Sequence, residues 1–221
     1  MADNERATLD FDELHILDDG SEGRAILSHD EWFGAMKGLT DRQRKDRIRF
    51  AQEWEDEVIA ILILLKLYDE YGMKIDDLKA RMLREVRSLV EKVVTVNSEI
   101  IEYLEDYVRR FFEVTFRHLQ DPYYTSDDRA RDNGNQEAST IYNRKEYEEA
   151  KANGAKFKTW HTMLDDRVRD SHTEMEGETI QMDDLFLVGP SMSEMRFPRD
   201  WSHGASPEEI INCRCWLTYS R

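Results

Sequence analysis

Two cysteines and two histidines in the C-terminal part of the sequence could bind a metal ion. The cysteines are Cys213 and Cys215, and the histidines that could join them are His172 and His203. Imidazole nitrogens and thiolates are ligands of tetrahedral structural zinc sites. Such a zinc ion would link a short helix to the last strand of a small domain and stabilise it. The Cys-x-Cys spacing is not the usual zinc hook, so the alternative is a hydrogen-bonded histidine packed beside two buried, reduced cysteines. The sequence therefore requires no cofactor, and structural zinc is an open hypothesis.

A cluster of carboxylates around His172 could do different chemistry. Asp165, Asp166, Glu174 and Glu176 lie together with His172 inside a segment of twelve residues. Such groups could bind Mg²⁺ or act as acid and base in a metal-dependent nuclease or a toxin-like enzyme. Carboxylates are abundant throughout the sequence, however, and it has no glycine-rich phosphate loop, no nucleophile elbow and no His-Glu-x-x-His motif. We therefore predict no catalytic residues and a protein that is not an enzyme, with the nuclease or toxin as the alternative.

The charge of the chain limits its partners. With 47 acidic and 31 basic residues among 221, the formal net charge is -16. Tight binding of nucleic acid needs clustered lysine and arginine that displace counterions from phosphates, and no such cluster dominates, so we do not expect tight nucleic-acid binding. Two closely spaced cysteines argue against a disulfide framework and for a reducing compartment. The first 30 residues have no basic segment followed by an apolar one, so no secretory signal is expected.

The longest apolar run is too short to cross a membrane. It covers Val58–Leu65 and is preceded by three acidic residues. As a helix it would span about 12 Å, against roughly 30 Å for the core of a bilayer. We interpret the run as a buried or intersubunit helix face and predict no membrane partner.

Hydrophobic residues in the first half of the chain recur at helical spacing. Thr40 with Gln43 three residues later fits a capping box and predicts a helix that ends before Gly72. Two further amphipathic helices are predicted over 75–96 and 97–119. Three long helices in close succession indicate a bundle or a hairpin.

These patterns divide the chain into four parts. Residues 1–39 are predicted to form a partly ordered arm that becomes fixed only against a partner. Residues 40–121 form the helical region, whose long helices could also support self-association. The polar stretch 122–134, with its Asn-Gly pair, is predicted to be a linker. Residues 135–221 are predicted to form a small module.

The module combines a helix with short strands. A helix over 135–152 precedes predicted strands at 156–163, 177–182 and 213–220, while 186–212 is predicted to be mostly loop. The predicted fold class is therefore α+β: an N-terminal bundle or hairpin of long helices, followed by a small module with a helix and an antiparallel sheet.

The segments of this module, taken in order, resemble a known family. They are a G-x-K-x-K-x-W strand, a D-x-R-V-R-x-S-H turn, a Glu-Gly step before an apolar strand, and N-C-R-C near the end of the sequence. The series is similar to the phage Mu F-like minor head proteins of phage head morphogenesis, and the resemblance covers the C-terminal module only. The motif positions are Trp160, Asp166, Arg167, Arg169, His172, Gly177, Asn212, Cys213, Arg214 and Cys215.

The resemblance implies a structural protein of the virion. Members of the family are associated with the portal protein and with the inside of the capsid, and no general catalytic activity is attached to them. We therefore expect capsid assembly through protein–protein contacts, with portal, capsid or scaffold proteins as partners. The expected location is the interior of the phage head or the vicinity of the portal, after synthesis in the cytoplasm of the bacterial host.

Overall fold

A computed structural model describes residues 26–68 and 70–221. The helices are α1 (His29–Phe33), α2 (Asp41–Leu67), α3 (Ile75–Glu91), α4 (Ser98–Arg117), α5 (Asp127–Ala152), α6 (Asp170–Thr173) and α7 (Pro207–Ile210), with a 3-10 helix at Pro122–Thr125. The strands are β1 (Phe157–His161), β2 (Thr179–Gln181), β3 (Phe186–Val188), β4 (Ser193–Met195) and β5 (Trp216–Ser220). Long helices followed by small antiparallel sheets confirm the predicted α+β class.

The long helix α2 begins where the sequence predicts. Thr40 Oγ1 accepts the backbone N–H of Gln43 at 3.2 Å, and the Gln43 side chain accepts the N–H of Thr40 at 2.9 Å. Both halves of the capping box are therefore formed, which satisfies two backbone donors that the first turn would otherwise leave free.

The hydrophobic core of the bundle follows α2, which packs against both α3 and α5. Trp54 is fully buried there and donates its indole N–H to the Tyr107 hydroxyl on α4 at 3.0 Å. Val58, Ile61 and Leu62 are buried as well, so the apolar run of the sequence is a core face. None of the helices in the described residues is long and apolar enough to span a membrane.

The predicted linker over 122–134 is wrong, because this stretch is almost entirely helical. Ser126 Oγ accepts the backbone N–H of Arg129 at 3.2 Å and caps α5, which then continues without a break. The Arg129 side chain is buried, donates to Thr115 Oγ1 at 2.7 Å, and lies 4.5 Å from the centre of the Phe111 ring. Arg129 is the buried charged residue of this stretch, and its acceptor Thr115 lies outside it, which the local sequence does not reveal.

Residues 1–39 were predicted to become fixed only against a partner. Residues 1–25 lie outside the described residues, but for residues 26–39 the prediction is wrong. Trp32 is buried and donates its indole N–H to Ser139 Oγ on α5 at 2.9 Å. His29 lies between Asn135 on α5 and Glu55 on α2, at 2.8 and 2.7 Å. The described end of the arm is therefore held by the chain's own helices.

The main sheet has the strand order β2-β1-β5, with both pairs antiparallel. Trp160 of β1 pairs with Leu217, and its neighbour His161 pairs with Trp216. Trp160 packs within the small core of the module, whereas Trp216 packs within the core of the bundle. The sheet therefore lies between two hydrophobic clusters and joins the module to the helices.

A second sheet lies in the region predicted to be mostly loop. The strands β3 and β4 form an antiparallel hairpin in which Phe186, Val188 and Met195 are buried. Each strand has only three residues, so the sequence contains too little alternation to indicate a strand.

Lys158 of β1 is a buried cation. Its Nζ donates to the carbonyl oxygen of Arg196 at 2.8 Å and lies 5.0 Å from the centre of the Tyr147 ring. Burial removes water from the ammonium group and lowers the pKa of Lys158 to about 8.

This pKa predicts that the contribution of Lys158 to stability increases as the side chain loses its proton. Between about pH 8 and about pH 10.4 the unfolded chain binds more protons at this position than the folded chain, so the Lys158 contribution to the free energy of unfolding rises with pH. Between about pH 7 and about pH 9.5 we expect the wild type to gain roughly 2 kcal/mol relative to Lys158→Met. Urea denaturation of both proteins at both pH values measures this difference. Parallel pH dependences in the two proteins would contradict the prediction.

Candidate functional site

His172, Cys213 and Cys215 come together in the structure. Their ligand atoms all lie within 4.8 Å of one another, and each residue is at most 2% exposed. His172 Nδ1 lies 3.4 Å from Cys215 Sγ. The histidine belongs to α6, whereas the cysteines lie in the segment that leads into β5, so tertiary packing joins two distant parts of the module.

Two arginines tie these segments together. Arg214, between the two cysteines, pairs with Asp165 in the turn after β1. Arg169, which directly precedes α6, donates to the carbonyl oxygen of Ile211. Hydrogen bonds in which the donor or acceptor is charged are stronger than neutral ones. These contacts therefore hold α6 and the turn before it against the segment that carries the cysteines.

His203, which the sequence suggested as a fourth ligand, does not join this cluster. It is exposed in the loop between β4 and α7. The neighbouring Trp201 stacks on Tyr103 of α4, with ring centroids 4.0 Å apart. This contact fastens the loop to the bundle, while His203 stays at the surface.

Glu209 completes the site and was not predicted from the sequence. Helix α7 places its Oε2 2.9 Å from His172 Nε2, and Ser171 Oγ donates to the same oxygen at 3.0 Å. The Glu209 carboxylate lies against Gly189, at a position that a Cβ atom there would occupy. Glu209 is only 4% exposed, yet nothing in the sequence distinguishes it among 47 acidic residues.

The buried groups alter one another's protonation. Burial by itself lowers the pKa of His172, but the charge of Cys213 and contacts with Cys213 and Glu209 outweigh it and raise the pKa to about 9. Burial raises the pKa of Cys215 well above its ordinary value. Burial also acts to raise the pKa of Cys213, but contacts with Cys215 and His172 hold it well below its ordinary value. The site therefore favours one thiolate beside a charged imidazole.

Three further motif residues shape the backbone around the site. Trp160 lies edge-on to His172, with ring centroids 5.9 Å apart. Gly177 has a φ of 80° and donates its N–H to the Trp160 carbonyl oxygen at 2.9 Å. Asn212 has a φ of 55°, and its Oδ1 accepts from the Gln136 amide on α5 at 3.1 Å. Glycine and asparagine tolerate this left-handed region better than other residues.

The carboxylates near His172 do not form one site. Asp165 accepts the N–H of Arg167 at 3.1 Å and closes the turn that contains Asp166 and Arg167. Glu176 accepts the N–H and the hydroxyl of Thr162 at 2.5 and 3.0 Å. Within 26–68 and 70–221, the histidine–cysteine cluster is the only group of three or more such side chains with metal-ligand spacing. The geometry therefore gives no reason to prefer a nuclease.

The fold and the site define an α+β protein in which a helical bundle carries a small module with a buried histidine–cysteine cluster. The family described as Phage Mu protein F like protein matches residues 95–218. Since this is more than half of the chain, the protein belongs to that family. The matched region begins before α4 and includes the stretch predicted to be a linker.

Family membership indicates a phage protein of head morphogenesis. It is consistent with a structural protein without enzymatic activity. No curated protein and no solved structure matched the chain.

Proposed function

We propose that this protein is a minor head protein that acts in capsid assembly by binding other head proteins, with the portal protein as its main partner. The family match over residues 95–218 carries the proposal. On this view the protein is made in the cytoplasm of the bacterial host and becomes part of the virion, inside the head or next to the portal. Capsid and scaffold proteins are the other partners of this class.

The end of the bundle offers a surface for such a partner. Helices α2 and α4 end side by side, since Tyr68 packs against Phe116 with ring centroids 6.1 Å apart. Just beyond these ends, Tyr71 is 65% exposed and Leu119 is 47% exposed. Large apolar side chains near the ends of rigid helices can be buried by a partner with little loss of conformational entropy.

The net charge of -16 adds a second condition on the partner. Complementary charge speeds association and suppresses wrong partners. A portal or capsid surface that binds this protein is therefore expected to carry basic residues around an apolar centre. A second copy of this acidic chain is a poorer match, which favours a different protein over self-association.

Co-purification tests this proposal. The full chain is co-expressed with the portal protein of the same phage, and in parallel with its major capsid protein and its scaffold protein. We expect the portal protein to be retained, and the double variant Tyr71→Ser, Leu119→Ser to reduce retention at least about tenfold, since each lost anchor is worth about 1 kcal/mol or more. The matched control is Leu187→Ser with Met192→Ser, which removes two side chains of similar exposure from the module.

The outcomes are separable. Retention of the portal protein by the wild type and the control, but not by the bundle variant, supports the proposal. Retention of none of the three head proteins, together with absence of the chain from purified particles by mass spectrometry, would overturn the assignment to head assembly. Equal loss in both double variants would exclude the end of the bundle as the contact surface.

A further inference from the structure

We propose that His172, Cys213 and Cys215 bind one Zn²⁺ ion, and that Glu209 orients the histidine for this role. Zinc binding at this site does not depend on which head protein the chain contacts. The zinc proposal and the assembly proposal can therefore be contradicted independently of each other.

The distances between the donor atoms suit zinc. With zinc–sulfur and zinc–nitrogen bonds of about 2.3 and 2.0 Å, tetrahedral geometry sets ligand atoms about 3.5 to 3.8 Å apart. His172 Nδ1 and Cys215 Sγ are already 3.4 Å apart, and all three ligand atoms lie within 4.8 Å of one another. Shifts of about 1 Å or less, of the size that side-chain rotation supplies, would bring the set to bonding distance.

The orientation of the imidazole also fits a metal ligand. Its Nδ1 faces the thiols, while its Nε2 lies 2.9 Å from Glu209 Oε2, an ion-pair contact without hydrogen-bond geometry. Metal-binding histidines almost always direct the second ring nitrogen to a carboxylate, a carbonyl or water, which fixes the tautomer and raises the basicity of the ligand. Glu209 is itself held by Ser171 and lies over Gly189, so this outer contact is built into the fold.

Charge balance favours the ion as well. Two thiolates and a neutral imidazole around Zn²⁺ give a group with no net charge, which can be buried at a lower cost than separate charges. The nearby Arg214 already has Asp165 as its partner, and the Arg169 side chain donates to a backbone carbonyl. Both cations therefore have acceptors of their own, although both also line the cleft beside the cysteines, where the charge of Arg169 acts on His172 and Cys215.

The fourth ligand is expected to come from solvent. No fourth histidine, cysteine, aspartate or glutamate joins the three-residue group in the described part of the chain. A small cleft lined by Arg167, Val168, Arg169, Asn212 and Arg214 lies beside the cysteines, and the proposal places the water ligand in this cleft. The ion would link α6 to the segment before β5, which are joined otherwise only by hydrogen bonds and packing.

Metal analysis of the full chain tests the proposal. The tag-free protein is purified under reducing conditions, reconstituted with zinc, dialysed and measured by inductively coupled plasma mass spectrometry. We expect one zinc per chain in the wild type, and loss of at least about fivefold in Cys213→Ser and Cys215→Ser, because each substitution removes a thiolate ligand. His203→Ala is the matched control, since it removes an exposed histidine outside the cluster, and it is expected to keep one zinc.

Cobalt keeps the test valid if a cysteine variant does not fold. Wild-type protein loaded with Co²⁺ should show sulfur-to-cobalt charge transfer in the near ultraviolet and the intense visible bands of tetrahedral coordination. Fewer than about 0.2 zinc per chain in the folded wild type, with no such spectrum, would overturn the site. A Cys213–Cys215 disulfide that persists in protein purified under reducing conditions, or zinc that is lost in His203→Ala and kept in the cysteine variants, would overturn it too.

Discussion

Replacing Glu146 by alanine is expected to destabilise the protein by about 3 to 5 kcal/mol, because it leaves a buried arginine without its partner charge. Arg47 on α2 is fully buried, and its guanidinium donates to Glu146 Oε2 on α5 at 2.8 Å. In the variant this cation stays in the interior without the carboxylate that compensates its lost hydration. Urea denaturation followed by circular dichroism measures the change.

Two comparison variants isolate this cause. Glu91→Ala breaks the Arg87–Glu91 pair, in which each side chain is 49% exposed, and is expected to cost no more than about 0.5 kcal/mol. The double variant Arg47→Met, Glu146→Leu replaces the buried pair with apolar side chains and is expected to recover most of the loss. A double variant as unstable as Glu146→Ala would show that the cost lies in packing and not in the unpaired charge.

Gly134→Ala is expected to cost about 2 to 4 kcal/mol, although alanine is intrinsically the better helix former by about 1 kcal/mol. Gly134 lies where α5 crosses α2, and a Cβ atom there would collide with the carbonyl oxygen of Ala51. That oxygen belongs to a helix backbone and cannot rotate away, so the two helices would have to separate. Thermal and urea denaturation report the loss.

Gly72→Ala is the control for this substitution. Gly72 has a φ of 62°, but nothing lies within 4 Å of the position of its Cβ. Alanine there is expected to cost only about 1 kcal/mol, the penalty of the left-handed conformation. If Gly134→Ala proves as mild as Gly72→Ala or stabilises the protein, the close approach of α2 and α5 is not a constraint on the fold.

Glu146→Ala and Gly134→Ala both change α5, the helix that the bundle and the module share. Its Asn143 accepts from Arg47 at 3.2 Å on one side and donates to the carbonyl oxygen of Cys215 at 3.0 Å on the other. The same amide also donates to the carbonyl oxygen of Pro198 at 3.1 Å. The helices therefore fix the segment that carries the cysteines, and damage to the α2–α5 contact is expected to reach the candidate metal site.

Local signals in the sequence were sufficient for most individual elements. The capping box at Thr40 and Gln43 marks the start of α2, and the apolar spacing after it predicts the buried face. The motif at Trp160, His172 and Cys215 indicates the family to which the chain belongs. These features depend on residues a few positions apart, for which helical and strand periodicity, caps and motif order are adequate guides.

Contacts between distant residues could not be predicted in this way. The stretch before Gly134 has the composition of a linker, yet it is helical because Arg129 finds acceptors on α4 and in the 3-10 helix. The described end of the arm is fixed because Trp32 donates to Ser139 on α5. Polar residues that are buried and satisfied by remote partners have the same local pattern as exposed ones.

The sequence by itself determined the long helices of the bundle, the strands of the main sheet and the family, and it named four candidate ligands. Only the tertiary structure decided that α5 is continuous, that His203 stays outside the site, and that Glu209 faces His172. The physical reason is that secondary structure and motifs follow from neighbouring residues, whereas the partner of a buried charge or imidazole is set by how the chain packs in three dimensions.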